Sequence, residues 1–288
     1  MSTALPKNKP GVLYVVATPL GNLKDITLRA LEILRDVDLI AAEDTRTTLK
    51  LLNHFQIKGP RLVAYHEHNE KERTPWLLEN LRSGKNIALV SEAGTPAISD
   101  PGALLVRRAH EEGLPVIPVP GPAALSCALS VSGFDLKGGF VFLGFLPAKA
   151  GQRRRLFQEL CTERRPLVFY EAPHRLKATL KDALEILGDR EVFLAREMTK
   201  RHEEYRLLSL GRLYERFLTE EPRGEFTLVL AGAPKSPETR SQENLEEALR
   251  QALKEGLSLK EAVQKVAQTT GTPKKQVYQL ALKIRDLL

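Results

Sequence analysis

Short apolar runs alternating with helix-periodic segments constrain this chain more than any other feature. Residues 11–17 (GVLYVVA), 38–42 (DLIAA), 61–65, 86–91 and 115–118 are short and rich in aliphatic and β-branched side chains, which predicts buried strands. Between them apolar residues recur at helical spacing. Leu28, Leu31 and Leu34 predict a helix that Asp25 caps and that runs to Arg35, and further helices are predicted over 74–83 and 102–112. Strands alternating with helices signal a parallel α/β sheet. A second set follows, with helices predicted over 123–132, 152–162, 174–187 and 211–218. Its strands are predicted over 140–144, 166–170, 191–195 and 226–231, the last run, FTLVLA, closing the sheet.

Proline and glycine concentrate in VIPVPGPAA, which places the boundary between the halves near 118–123. The expected organisation is an N-terminal α/β domain over 1–120 and a second over 121–233. A polar linker (PKSPETRSQE) over 234–243 and a helical extension over 244–288 complete it. Within the extension, 244–255 is amphipathic, Ser258 and Glu261 form a capping box, and Thr272-Pro273 opens a last helix after a turn containing Gly271. This spacing resembles a helix-turn-helix module, with Lys274 and Lys275 placed to touch nucleic acid. A dimerising or fold-supporting tail is the alternative.

A chain of 288 residues with 42% hydrophobic and 27% charged residues suits a globular protein of about two domains. No apolar run reaches the roughly 18 residues of a membrane span, and MSTALPKNKPG lacks a signal-like stretch, so a cytoplasmic location is expected. Cys127 and Cys161 make no disulfide framework, and no zinc-binding spacing occurs. The net charge is +7, and residues 149–165 hold six Lys/Arg against two Glu, a block that favours a polyanionic partner. Arg153, Arg154 and Arg155 are its candidate RNA contacts.

Neither a P-loop nor a strand-linked GxGxxG is present. Instead, tight or charged turns sit at the carboxyl ends of predicted strands, the edge where open α/β sheets bind ligands. They are TPLGN (18–22), EDTR (43–46), YHEHN (65–69), SEAGTPAISDPG (91–102), FYEAPHR (169–175) and REMTK (196–200). Adjacent acids such as Glu43 and Asp44 repel each other unless paired or used. Arg46 is placed to grip phosphate and His66 to touch substrate. His66 and His68 lack nameable partner ligands, so no metal is expected.

ATPLGNL (17–23), EDTR, SEAGTPAISDPG and FYEAPHR, together with PGPAALSCALSVSGF (120–134) and REMTKRHEE (196–204), resemble the tetrapyrrole-methylase-fold enzymes, and within them the branch that methylates ribosomal RNA. The resemblance spans about residues 11–232, and the terminal helices resemble that branch's helix-turn-helix-like extension. After REMTKRHEE the chain reads YRLLSLG, where the family more often carries an Arg-Gly-Thr/Ser-like step. The resemblance implies two α/β domains with S-adenosyl-L-methionine in the cleft between them, a homodimer, and 2′-O-methylation of a cytidine ribose in the decoding region of small-subunit RNA. Carried over by motif, the cofactor would touch Pro19, Leu20 and Gly21, then Gly94, Thr95, Pro96 and Ile98, then Ala123 and Ala124. Tyr170, Glu171 and Ala172 would follow, and Glu225, Phe226 and Thr227 would close the adenine side. A ribose hydroxyl is a poor nucleophile and benefits from a base. The candidates are Glu43, Asp44, Glu92, Glu197 and, if its pKa is depressed, Lys200. Arg46, Arg175 and Lys200 are candidates for gripping phosphates around the target. Two other readings stand beside this one: a tetrapyrrole methyltransferase of the same fold, and a non-catalytic nucleic-acid-binding protein.

Overall fold

The computed structural model describes residues 9–234 and 237–285, with side chains over 9–234 and 244–284. The chain divides into two compact units, Met1–Gly232 and Ala233–Leu288. The first unit holds two five-stranded sheets.

The first sheet comprises β1 (Leu13–Val16), β2 (Leu39–Ala42), β3 (Arg61–Ala64), β4 (Ile87–Val90) and β5 (Val116–Val119), all parallel, in the order β3-β2-β4-β1-β5. LIAA of β2 and IALV of β4 are buried at every position, because both faces of the sheet are covered. Ile87 and Leu89 face one apolar cluster with Leu77, Leu81 and Leu105; Ala88 and Val90 face another with Leu34, Leu51 and Leu52. The intervening helices are α1 (Leu28–Asp36), α2 (Thr45–His54), α3 (Glu70–Arg82) and α4 (Ala103–Glu111). Asp25 does not cap α1. It ends a short 3-10 turn, and Thr27 caps the helix by accepting the Ala30 N–H at 3.1 Å.

The second sheet follows α5 (Ala124–Val131). It contains β6 (Val141–Phe145), β7 (Leu167–Glu171), β8 (Glu191–Arg196), β9 (Glu204–Ser209) and β10 (Phe226–Leu230). The helices α6 (Ala150–Glu159), α7 (Pro173–Leu187) and α8 (Leu210–Thr219) intervene. The order is β6-β7-β10-β8-β9, with β6 and β7 parallel and every other pair antiparallel. FTLVL therefore does not close an edge. Its five residues are all buried because β10 is the central strand. The edge strand β9 escapes the periodicity argument because Tyr205, Arg206 and Leu207 are all exposed, so no apolar face marks it.

The basic block of 149–165 separates into different environments. Arg153 is only 3% exposed, and its Nε and Nη2 donate to Asp182 Oδ2 at 2.8 and 2.5 Å, tying α6 to α7. A buried guanidinium cannot grip RNA outside the cleft, which corrects that expectation for Arg153. Arg154 bonds Asp182 and Glu185, while Arg155 stays 81% exposed beside Glu159.

The second unit consists of α9 (Pro237–Lys254), α10 (Leu259–Thr270) and α11 (Lys274–Arg285) around Leu249, Val263, Val266, Val277 and Ile284. Helix α9 begins inside the stretch 234–243 expected to be linker. Residues 235, 236 and 286–288 lie outside the described residues. The Ser258–Glu261 capping box forms, and Gly271 ends α10 at φ +69°. No described helix is long and apolar enough to cross a membrane.

Removing one partner of a buried ion pair strands the other. Asp182→Ala should lower stability by about 3–5 kcal/mol in chemical denaturation. Arg153→Met combined with Asp182→Leu should recover most of that loss, since it leaves no unpaired buried charge.

Candidate active site

Several chain segments meet where the strand tips of the two sheets converge. The turn after β1 and the loop after β4 are joined by an antiparallel bridge: Thr18 N–H donates to Gly94 O at 2.8 Å, and Gly94 N–H donates to Thr18 O at 3.0 Å. Gly94 has φ +82°, a conformation that disfavours any other residue. Thr95 Oγ1 then donates to Pro122 O at 3.0 Å, which binds the loop to the segment entering α5. Within the same loop Ala97 and Ser99 hold φ +65° and +66°. Left-handed backbone at two non-glycine residues stores strain of a kind that clusters at ligand sites.

These segments enclose a cleft of about 840 Å³ lined from both sheets, within the range of small-molecule sites. Of the residues expected to touch a cofactor, Pro19, Leu20, Gly21, Gly94, Thr95, Ile98, Ala123, Ala124, Tyr170, Glu171, Ala172, Glu225, Phe226 and Thr227 line it. Pro96 is buried and does not. Among the base candidates Glu43, Glu92 and Lys200 line the cleft, whereas Asp44 and Glu197 do not.

Most of these charged groups are already committed. Asp44 caps α2 through the Arg46 and Thr47 amides and chelates the Arg46 guanidinium, whose side chain is otherwise 88% exposed. The side-chain bond to Arg46, followed by the two amides, pulls the Asp44 carboxyl down to about 2. Glu43 Oε2 accepts the Glu92 N–H at 3.0 Å and so holds two strand tips together. Lys200 Nζ bonds Glu225 Oε2 at 2.9 Å and Glu197 Oε1 at 3.0 Å. Burial works against the Lys200 charge, but the two carboxylates outweigh it and its pKa rises. The condition for Lys200 to act as a base, a depressed pKa, is therefore not met. Burial likewise opposes the charge of Glu197, yet the Glu225 amide and Lys200 bring its pKa down. The Lys200 stem passes directly over Gly21, where a Cβ would lie 2.3 Å from Lys200 Cγ.

Arg175 also points inward. It pairs with the fully buried Glu171 at 3.1 Å and donates to Leu146 O, so it is not free at the mouth. Glu171 further accepts from Ala172 N–H at 2.9 Å and Thr179 Oγ1 at 2.5 Å. His66 lies at the end of β3 outside the cleft lining, bonded to Asn69.

Among the lining residues not singled out from the sequence, two carry charge. Lys50 on α2 brings an exposed cation to the rim. Asp100 sits in the cleft wall, and its carboxyl is pushed up to about 6 by burial and then by the nearby negative charges of Glu43 and Glu92, with the neighbouring Ser91 hydroxyl pulling the other way. Its signal was present as the second acid of SEAGTPAISDPG, but only folding brings it beside Glu43.

Solved structures of similar fold include a cobalt precorrin-4 methyltransferase (TM-score 0.57, 19% identity, covering 76% of this chain and 94% of that one). Another is uroporphyrin-III C-methyltransferase from Thermus thermophilus complexed with S-adenosylhomocysteine (TM-score 0.53, 21% identity, covering 76% and 97%). Residues 12–214 match the tetrapyrrole (corrin/porphyrin) methylases, and residues 239–285 match the RsmI C-terminal HTH domain. The chain belongs to the tetrapyrrole methylase family. Among its relatives, ribosomal RNA small subunit methyltransferase I of Synechocystis is 50% identical, over 95% of this chain and 98% of that protein. The Thermotoga maritima protein of the same name is 52% identical, over 77% of this chain and 99% of its own length.

The Asp100 shift carries a pH signature. Its folded pKa, near 6, lies above the ordinary 3.8, so between those values the unfolded chain gives up a proton that the folded protein keeps. Ionisation then favours unfolding, and this contribution to stability falls as pH rises from about 4 to about 6 and is constant above. Asp100→Asn should remove that slope from denaturation curves, and carbon-13 NMR should place the carboxyl midpoint near 6.

Proposed function

We propose that this protein uses S-adenosylmethionine to methylate the ribose 2′-oxygen of a cytidine in the decoding region of small-subunit (16S) ribosomal RNA. The observation that carries the reading is the cleft: a wall of backbone and small residues on one side and a carboxyl of raised pKa, Asp100, on another. The names and close identity of the relatives support the RNA substrate.

The cleft residues fit the cofactor in size and chemistry. Gly94, Ala123, Ala124 and Ala172 leave room for close backbone approach, and Leu20, Met198 and Phe226 supply apolar contact. When bound, the cofactor supplies a methyl group activated by a sulfonium. Holding the ribose oxygen in line is the protein's task, and positioning of this kind is worth roughly 7–11 kcal/mol. Asp100 accepts the ribose proton as the new carbon–oxygen bond forms. A carboxyl with a pKa near 6 is ionised at neutral pH yet more basic than Asp44, whose charge is spent on Arg46. Lys200 stays cationic and braces Glu197 and Glu225 across Gly21.

Exposed cations supply the phosphate contacts: Lys50 and Arg46 near the cleft, Arg155 on α6, and Lys274 and Lys275 at the start of α11. The substrate is the small ribosomal subunit or its RNA, the enzyme works in the cytoplasm, and it functions as a homodimer.

Labelled S-adenosylmethionine offered with naked small-subunit RNA and with assembled subunits should place label on one ribose 2′-oxygen, mapped by nuclease digestion. Label on neither would sink the ribosomal reading. Asp100→Asn should lower kcat by roughly 10²–10⁴-fold with cofactor affinity retained, the range for a lost general base; an unchanged rate would remove Asp100 from the mechanism. Lys274→Ala with Lys275→Ala should reduce the magnitude of the salt slope of RNA binding by about 1–2, read from affinities at several salt concentrations.

A further inference from the structure

The most exposed large apolar side chain of the cleft lining is left open where burial would be favoured. Phe145, the last residue of β6, lines the cleft and is 55% exposed. Its presentation is built into the backbone. The parallel register between β6 and β7 shifts between Phe142 and Phe145, and Gly144 inside that irregularity holds φ +59°. A bulge of this kind re-aims the side chain that follows it. The position of Gly144 is also dictated by contact, since a Cβ there would lie 2.8 Å from Ser99 Oγ. Phe145 thus stands beside the strained segment that carries Asp100. Edge-to-face packing on Tyr170, with ring centroids 5.5 Å apart at 65°, steadies the ring. Tyr170 is held in turn by Phe142 at 5.2 Å and by the Leu125 N–H, which its hydroxyl accepts at 3.1 Å.

We infer that Phe145 is a stacking platform for the nucleobase of the nucleotide being methylated, fixing the ribose hydroxyl over Asp100. The inference rests on the RNA reading above. The occupant follows from the surroundings: a flat apolar face, a carboxyl in the same cleft and a cation, Lys50, at the rim match the base, ribose hydroxyl and phosphate of a nucleotide. Aromatic stacking tolerates any base, so the platform positions and does not select sequence.

The test compares full-length Phe145→Ala, Phe145→Leu and Phe145→Trp with the unmodified protein in methyl transfer to small subunits, together with cofactor affinity by calorimetry. Saturation-transfer NMR on cytidine monophosphate, in the presence of S-adenosylhomocysteine, gives a readout independent of turnover. The expected result is a fall in kcat/KM of roughly 5- to 150-fold for the Ala and Leu variants, the range for one lost base stack. Activity should be retained by Trp, and cofactor affinity should be unchanged in all three. Saturation of the cytosine ring protons should be present in the unmodified and Trp proteins and lost with Ala. Full activity in Phe145→Leu would show plain apolar packing and overturn the proposal. A loss of cofactor affinity, or no ring-proton saturation in the unmodified protein, would also overturn it. Ring-proton saturation that depends on Phe145, in a protein that leaves ribosomal RNA unlabelled, would uphold the platform and reject the RNA substrate.

Discussion

The paired backbone hydrogen bonds between Thr18 and Gly94 are the constraint on which the site depends. They fasten together the turns that leave β1 and β4, neighbouring strands of an all-parallel sheet. Parallel strands leave their carboxyl ends on one edge, so turns there are free to be shaped by a ligand instead of by the ladder. The bridge removes that freedom at one point. From it the loop runs on through two left-handed residues to Asp100, and through Thr95 it reaches the chain entering the second sheet. A backbone clasp, made of groups present in every residue, thereby sets where the carboxyl and the small-residue wall stand.

Much of this was legible in the sequence because parallel sheets write themselves plainly. LIAA and IALV are apolar at every position since helices cover both faces, and the Gly/Pro-rich turns after such runs mark the ligand edge. The second sheet was less legible. FTLVL looks like any buried strand, and nothing local says that it lies between β7 and β8 and not at the edge. Strand β9 carries exposed Tyr205, Arg206 and Leu207, so its pairing with β8 is settled by the ladder alone.

Charge was the least readable property, because its meaning depends on partners far away in sequence. Arg153, Arg154 and Arg155 are adjacent letters, yet one is buried against Asp182, one is half-exposed between two acids, and one faces solvent. Glu43 and Asp44 are likewise adjacent. The first ties two strand tips together and the second caps a helix. Asp100 shows the reverse case: an unremarked acid acquires basicity only because burial and two other strand-tip carboxylates gather around it.

The central position of β10 has a consequence for the order of assembly. The first sheet can complete its ladder once residue 119 has left the ribosome. The second cannot. Until residues 226–230 emerge, β7 and β8 share no partner, and the half-made sheet consists of two separate ribbons, β6-β7 and β8-β9, each with an open inner edge. Open edges in an unfinished chain invite pairing with other chains. The last strand to be synthesised in the first unit is therefore the keystone that joins them, and the cleft wall lacks Phe226 and Thr227 until that strand is in place.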